Sequence, residues 1–151
     1  MLTLTFPAID PVIVEIGPLA IRWYALSYIA GILLGWRYMI WLARRSPVDL
    51  TKEHIDDFVI WATLGIIFGG RLGYVIFYKA EFYMQNPFQA LAVWQGGMSF
   101  HGAVIGIIFL TLLFSKFKNK NFYDLTDIIC LVSPIGIFFG RIANFINGEL
   151  Y

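Results

Sequence analysis

Four apolar stretches, each long enough to cross a lipid bilayer as a helix, constrain this chain more than any other feature. They cover residues 19–42, 55–78, 98–114 and 124–145, and a bilayer core takes about 20 helical residues to cross. Charged residues make up only 14% of the chain and hydrophobic ones 59%, whereas an ordinary soluble domain carries about 25% charged residues. A soluble fold this small could not bury so much apolar surface. The sequence therefore predicts an all-α integral membrane protein with about four transmembrane helices.

The spans predict a single membrane domain over residues 1–151, which includes an N-terminal arm at residues 1–18. The arm lacks the basic residues of a secretory signal and contains Asp10 between two prolines, so we expect an extended or interfacial segment. Residues 79–97, between the second and third spans, contain Pro87 and several aromatics and predict an ordered loop or a re-entrant segment. The single cysteine excludes an internal disulfide and disfavours a cysteine-based metal site.

The basic residues predict an orientation in the membrane. Two connections between spans carry them: Arg44, Arg45 and Lys52 in one, and Lys116, Lys118 and Lys120 in the other. Both connections fall on the same side if the spans alternate, and the positive-inside rule assigns that side to the cytoplasm. The N-terminus is then outside, and Tyr24, His101 and residues 141–151 lie toward the outer leaflet.

Arg71 follows two glycines well inside the second span. An arginine at such a depth costs at least about 2.5–3.5 kcal/mol on insertion scales, so it should face the bundle or a hydrated cavity. Two interpretations stay open at this point. Arg71 could contact a lipid phosphate or another substrate, or it could be structural, either snorkelling to the headgroups or paired with a carboxylate.

His101 lies in the glycine-rich sequence GGMSFHG at residues 96–102, where the chain enters the third span. Glycines allow a backbone to approach a neighbour or a ligand closely. A histidine can accept a proton from a nucleophile near neutral pH. The alternative is a histidine hydrogen-bonded to a backbone carbonyl as a structural plug.

The sequence GRIANFINGE at residues 140–149 concentrates polar groups at the outer end of the fourth span. Arg141 and Asn144 are three residues apart and share a face of a helix. A guanidinium there can grip a phosphate with two hydrogen bonds, and amides can bond hydroxyls or ester carbonyls. Glu149 could hold the arginine or accept a substrate hydroxyl. The alternative is a plain polar helix end capped around Asn147.

Two further features of the first span have simple interpretations when taken alone. Tyr24 lies at its outer edge and is typical of an aromatic belt. Gly31 and Gly35, four residues apart, predict close packing against another helix.

Residues 140–149 closely resemble the signature of bacterial prolipoprotein diacylglyceryl transferases. Three more stretches agree with that family in order and spacing: WYAL at residues 23–26, GGRLGY at 69–74 and GGMSFHG at 96–102. Residues 6–11 and 16–18 also resemble the family's periplasmic arm. The signature usually has glycine where this chain has Ala143, and family members continue well past the signature. The resemblance therefore predicts the N-terminal portion of such an enzyme.

The resemblance implies transfer of the diacylglyceryl group of phosphatidylglycerol to the thiol of a lipobox cysteine in a prolipoprotein, the first step of lipoprotein maturation. It implies a thioether product, with glycerol phosphate as the leaving group. The implied catalytic residues are His101, Arg141 and Tyr24, and the implied substrate-binding residues are Arg141, Asn144, Asn147, Glu149 and Arg71. The expected partners are phosphatidylglycerol, the prolipoprotein signal peptide and membrane lipids, with no nucleic acid, metal or cofactor. The expected location is the bacterial inner membrane, with multiple spans and a periplasmic N-terminus.

Two other functional classes are compatible with misfit polar residues in a membrane. A small transporter or channel would line a polar pathway with Arg71, His101 and Arg141, and would spread polar residues through the membrane depth. A purely structural membrane subunit would not need the dense polar end of the fourth span. The concentration of polar groups toward one leaflet disfavours the transporter, and the resemblance of four motifs in order favours the transferase over both alternatives.

Overall fold

A computed structural model of the protein describes residues 9–16, 19–93 and 96–148. The elements in chain order are β1 (Val12–Ile16), β2 (Leu19–Arg22), α1 (Trp23–Arg45), α2 (Lys52–Tyr78), α3 (Ala80–Gln85), a 3-10 turn (Pro87–Leu91), α4 (Phe100–Lys118) and α5 (Phe122–Ile146). Within these described ranges, α1, α2, α4 and α5 are long and apolar enough to cross a membrane. The predicted fold class, an all-α membrane protein with four spans, is confirmed.

Strand β2 occupies residues that the sequence pattern assigns to the first span. It pairs antiparallel with β1, with Ile16 opposite Leu19 and Val12 opposite Arg22. The β-branched residues of β1 favour a strand, and Trp23 donates its backbone N–H to the Pro11 carbonyl at 3.2 Å. Helix α1 begins at Trp23 rather than at residue 19. The sequence pattern misses this boundary, because the strand residues are as apolar as the helix that follows them.

Side-chain caps set where α2 and α4 begin. Thr51 accepts a hydrogen bond from the His54 backbone N–H at 3.4 Å, and the His54 ring accepts one from the Thr51 N–H at 3.1 Å. Ser99 caps α4 by accepting the Gly102 N–H at 3.2 Å, as serine commonly does at a helix start. The third span therefore begins at Phe100, two residues later than the sequence pattern predicts. Helix α4 ends at Lys118, and Asn119 caps it in the left-handed region with φ 52°.

The chain divides into two compact units. We call residues 40–129 the central unit, and residues 1–39 with 130–151 the terminal unit. The prediction of a single membrane domain over the whole chain stays a prediction.

In the central unit, α2 and α4 pack through glycines with almost no space between their backbones. A Cβ atom built on Gly69 would lie 2.4 Å from the Gly102 carbonyl oxygen, and one built on Gly106 would lie 2.1 Å from the Gly65 carbonyl oxygen. Only glycine permits this approach. Toward the other end of the pair, the rings of Phe58 and Phe114, both fully buried, lie 5.1 Å apart.

In the terminal unit, α1 and α5 also approach through small residues. A Cβ on Gly31 would lie 3.2 Å from the Gly136 Cα, and one on Gly35 would lie 2.8 Å from a Val132 methyl. The predicted role of Gly31 and Gly35 in close helix packing is confirmed.

Two ion pairs join the basic connections at one end of the central unit. Lys118 Nζ lies 2.6 Å from Asp57, at the start of α2, and Lys120 Nζ lies 2.8 Å from Asp49, in the connection between α1 and α2. The hydrogen bond and positive charge of Lys120 lower the pKa of the Asp49 carboxyl below its ordinary value. Because these residues touch, the two basic connections lie on the same side of the membrane, as the alternation of spans predicts.

Candidate functional site

Arg71 lies buried on α2, with only 5% of its surface exposed. Its guanidinium donates to backbone carbonyls of the segment before α4: Nε to Ala90 at 2.8 Å, Nη2 to Gln89 at 2.8 Å, and Nη1 to both Gly96 and Gly97. A guanidinium has five N–H donors, so four of them are directed at this segment. The structure therefore gives Arg71 a set of carbonyl partners, in place of the carboxylate that the structural interpretation predicts.

Aromatic rings flank the same guanidinium. The Arg71 Cζ lies 5.3 Å from the ring centroid of Tyr83, on α3, and 6.0 Å from that of Tyr74, one turn along α2. These distances suit cation–π attraction, which strengthens when the pair is shielded from water. Rings and carbonyl dipoles together explain how a cation can be buried at this position in a membrane protein.

The turn just before α4 is attached to α2 at a second point. The Ser99 N–H donates to the Gly70 carbonyl at 2.9 Å, and Ser99 is 3% exposed. Gly96 and Gly97 both have φ +80°, and a Cβ on Gly97 would lie 2.4 Å from the Tyr74 ring. Adjacent residues of α2 thus hold both ends of the turn formed by residues 96–99.

His101 is the second residue of α4 and follows directly from this turn. Its side chain is exposed, and its ring lies against Phe100 with centroids 5.9 Å apart. Among the described residues, none forms a hydrogen bond with the imidazole. The arrangement presents a histidine from a rigidly held helix end.

Tyr24 and Asn144 come together within the terminal unit, although 120 residues separate them in the sequence. The Tyr24 hydroxyl, at the start of α1, donates to the Asn144 side-chain oxygen, near the end of α5. Tyr24 also stacks on Tyr28 with ring centroids 5.8 Å apart. The bond fixes the asparagine amide and leaves its NH₂ group as a donor. Tyr24 is therefore more than a membrane-belt residue.

The remaining residues of the polar signature lie at the end of α5. Arg141 and Asn144 both lie within the helix, with Arg141 exposed and Asn144 partly buried. Asn147 donates its backbone N–H to the Ala143 carbonyl at 2.9 Å, and Gly148 follows with φ +68°. The helix end thus has the capped form that the sequence leaves open as the alternative interpretation, and the Arg141 side chain is exposed beside it. Glu149 lies outside the described residues.

Sequence reasoning missed the hydrogen bond between Tyr24 and Asn144 and two further contacts of the candidate site residues. The carbonyl cradle around Arg71 has no sequence signal, because backbone carbonyls exist at every residue. The cap that Ser99 forms on α4 does have a sequence signal, because a serine at the start of an apolar run is typical of a helix cap. Within the described part of the chain, His, Cys, Asp and Glu side chains form no group of three or more that could hold a metal ion.

In the described part of the chain, four helices are long and apolar enough to cross a membrane, which defines a multi-pass membrane protein. The family model described as prolipoprotein diacylglyceryl transferase matches residues 11–151. The chain belongs to the prolipoprotein diacylglyceryl transferase family.

Curated relatives agree with this assignment. The chain is 55% identical over 148 residues to the phosphatidylglycerol–prolipoprotein diacylglyceryl transferase of Paramagnetospirillum magneticum, and 56% identical over 151 residues to that of Azospirillum brasilense. It is 53% identical over 148 residues to that of Rickettsia bellii. These matches cover 98%, 100% and 98% of the chain. The chain spans about half the length of the relatives it matches, between 55% and 56%. The comparisons support the transferase interpretation and do not support the transporter.

Proposed function

We propose that this protein transfers the diacylglyceryl group of phosphatidylglycerol to the lipobox cysteine thiol of a prolipoprotein. The cysteine sulfur bonds to the glyceryl carbon that carries the phosphate ester. The bond between that carbon and the ester oxygen breaks, and its electron pair leaves with glycerol phosphate. The thiol proton passes to a base on the protein and then to water. Atoms and charge balance without a cofactor or an oxidant.

The match to the family model over residues 11–151 carries this proposal. The hydrogen bond from Tyr24 to Asn144 supports it independently, since it joins the motif of the first span to the signature of the last. Two motif residues far apart in sequence need not meet in a structure unless their side chains act together or stabilise the fold together.

On the lipid side, we assign phosphate binding to Arg141. Its exposed guanidinium can form two parallel hydrogen bonds to a phosphate, and such bonds are strongest to an oxyanion. As the carbon–oxygen bond breaks, negative charge grows on the phosphate, and a fixed cation stabilises it. We assign orientation of the glycerol backbone to Asn144, which Tyr24 holds in place, with Asn147 and Glu149 as further contacts.

On the thiol side, we assign the base to His101. A neutral imidazole can accept the thiol proton and so generate the more nucleophilic thiolate. The exposed ring at the start of α4 is accessible for this task.

The proposal includes an orientation, with the N-terminus in the periplasm and the basic connections in the cytoplasm of a bacterium with an inner membrane. The positive charge of both connections supports it, as does the contact between Lys120 and Asp49 on one side. The test is cysteine labelling in whole cells, in a Cys130→Ser background. An impermeant maleimide should label Asp10→Cys from outside and leave Asp49→Cys unlabelled until the cells are opened. The reverse pattern contradicts the orientation.

A chimera tests the transfer reaction, because the relatives are about twice as long as this chain. Residues 1–151 replace the matching portion of the Azospirillum brasilense relative, and the purified chimera is incubated with phosphatidylglycerol and a lipobox peptide. We expect the peptide to gain the mass of one diacylglyceryl group, as with the unaltered relative. Arg141→Ala in the chimera should abolish the gain, while Arg37→Ala, which changes an exposed arginine in the middle of α1, should not. A correctly inserted chimera that transfers nothing contradicts the proposal.

A further inference from the structure

Arg71 is the buried cation whose role the transfer chemistry does not explain. Four of its five N–H donors are occupied by the carbonyls of Gln89, Ala90, Gly96 and Gly97. A grip on a phosphate through two parallel hydrogen bonds needs two free donors on one edge of the guanidinium. Arg71 could supply them only by releasing at least one carbonyl, which would then lie unsatisfied in a membrane interior. Direct binding of the lipid phosphate is therefore unfavourable for this arginine.

The carbonyls that Arg71 holds belong to the segment that leads into α4. Gly97 is four residues before His101, and Ser99, two residues before it, is bonded to the carbonyl of Gly70. Gly70 and Arg71 are neighbours on α2, so one short stretch of a rigid helix fixes the entire turn. This turn then fixes the direction in which α4 begins.

We propose that Arg71 is a positioning residue that fixes the turn at residues 96–99 on α2 and thereby sets the position of His101. The inference rests on the proposed function only for the role of His101 as the base. The contact itself does not depend on any catalytic role.

Lysine at this position separates the two possible roles of Arg71. A lysine keeps the positive charge but presents one compact ammonium with three donors, and it cannot hold carbonyls spread across a guanidinium fork. If Arg71 bound a phosphate mainly by charge, Arg71→Lys would retain much of that binding. If Arg71 fixes the turn, the same variant releases at least one end of the segment, and His101 moves.

The chain offers an internal control, because it contains two histidines, His54 and His101. His54 caps the start of α2 through Thr51, while Arg71 acts near the far end of that helix. The test is the carbon–proton correlation spectrum of the histidine Cε1 atoms in ¹³C-labelled protein in micelles. In Arg71→Lys, we expect the His101 signal to move or broaden and the His54 signal to stay. An unmoved His101 signal overturns the inference, and equal changes in both signals overturn it as well, since they indicate a general loss of fold.

A second perturbation reaches the same turn with Arg71 intact. Gly97→Ala introduces a Cβ atom 2.4 Å from the Tyr74 ring, whereas Gly96→Ala shares the same φ of +80° and meets nothing within 4 Å. Both variants carry the backbone strain of a positive φ. The difference between their His101 signals therefore reports only the displacement of the turn by the Tyr74 ring. We expect Gly97→Ala to shift the His101 signal clearly more than Gly96→Ala. Equal shifts would contradict the assignment of the turn as the element that positions His101.

Kinetics of the chimera complete the test. Misplacement of a catalytic group by about 1 Å can cost on the order of a hundredfold in rate, so we expect Arg71→Lys to lower kcat by about tenfold to a hundredfold. The KM for phosphatidylglycerol should change by less than about twofold, since a positioning residue does not bind substrate. A raised KM with unchanged kcat assigns Arg71 to substrate binding and overturns the inference. If the unaltered chimera transfers nothing, the proposed function fails, but the histidine spectra still decide whether Arg71 holds the turn.

Discussion

The packing of α2 on α4 makes Gly106 the glycine whose replacement should damage the fold most. In Gly106→Ala, the new Cβ atom would lie 2.1 Å from the Gly65 carbonyl oxygen and 2.8 Å from the Gly69 Cα. Carbon and oxygen approach to about 3.3 Å even in favourable C–H···O contacts. The helices must therefore separate locally by about 1 Å, because the atoms in the way belong to backbone and cannot rotate aside.

The cost follows from overpacking. Extra methyl groups in a well-packed interior typically cost about 1–3 kcal/mol, occasionally more, and a clash with helix backbone belongs at the upper end. We expect Gly106→Ala to lower the free energy of unfolding by about 3 kcal/mol. Gly136→Ala on α5 is the matched control, because nothing lies within 4 Å of its Cβ position.

The assay is equilibrium unfolding in mixed micelles, with added SDS as the denaturant and tryptophan fluorescence as the signal. Five tryptophans report on the transition. Gly136→Ala should unfold at or above the SDS fraction of the unaltered chain. Substitutions at sites without a special structural role usually change the free energy of unfolding by less than about 0.5 kcal/mol. If Gly106→Ala differs from the control by no more than this, close backbone contact does not limit the packing of α2 on α4.

Three further predictions concern single side chains. Tyr24→Phe in the chimera removes the donor to Asn144. A net hydrogen bond contributes about 0.5–1.5 kcal/mol, so transfer should slow by about twofold to about twelvefold. Tyr28→Phe, at an exposed ring on the same helix, should leave the rate unchanged, and equal rates for both variants contradict the role of Tyr24. His101→Gln should abolish transfer to the peptide thiol in the mass assay while the protein still inserts, and full activity would remove His101 from the base role. The pKa of Asp49 is lowered in the folded chain from its ordinary value of 3.8, so its pairing with Lys120 stabilises the fold above pH 3.8 and is lost as the pH falls through the folded pKa. Lys120→Met should therefore reduce the difference between the unfolding free energies at neutral and at acidic pH. An unchanged difference would contradict a stabilising pair between Lys120 and Asp49.

The four spans could be predicted from the sequence because hydrophobic length alone decides which helices can cross a bilayer. The boundary at Trp23 could not, because strand β2 and helix α1 are both apolar and only the hydrogen bonds to β1 separate them. Alternation of the four spans predicts that the two basic connections share one side of the membrane, and the contact between Lys120 and Asp49 agrees with it. Local charge and hydropathy carry this information directly.

The side chains of the site were predicted by type but not by contact. Arg71 was identified as a misfit cation, yet its partners are backbone carbonyls that leave no trace in residue identity. Tyr24 looked like a belt residue because nothing in the neighbouring sequence points to Asn144, 120 positions away. Contacts of such long sequence separation depend on how the helices pack, and this is set by glycines whose partners cannot be read from spacing alone.

The activity that we propose for this chain moves a diacylglyceryl group from phosphatidylglycerol to a thiol. Its most direct test follows both products of the chimera, using phosphatidylglycerol that carries one isotope in the diacylglyceryl part and another in the glycerol headgroup. We expect one labelled thioether on the lipobox peptide for each labelled glycerol phosphate released. Release of glycerol phosphate with no thioether on the peptide, or no release at all from an inserted chimera, would contradict it.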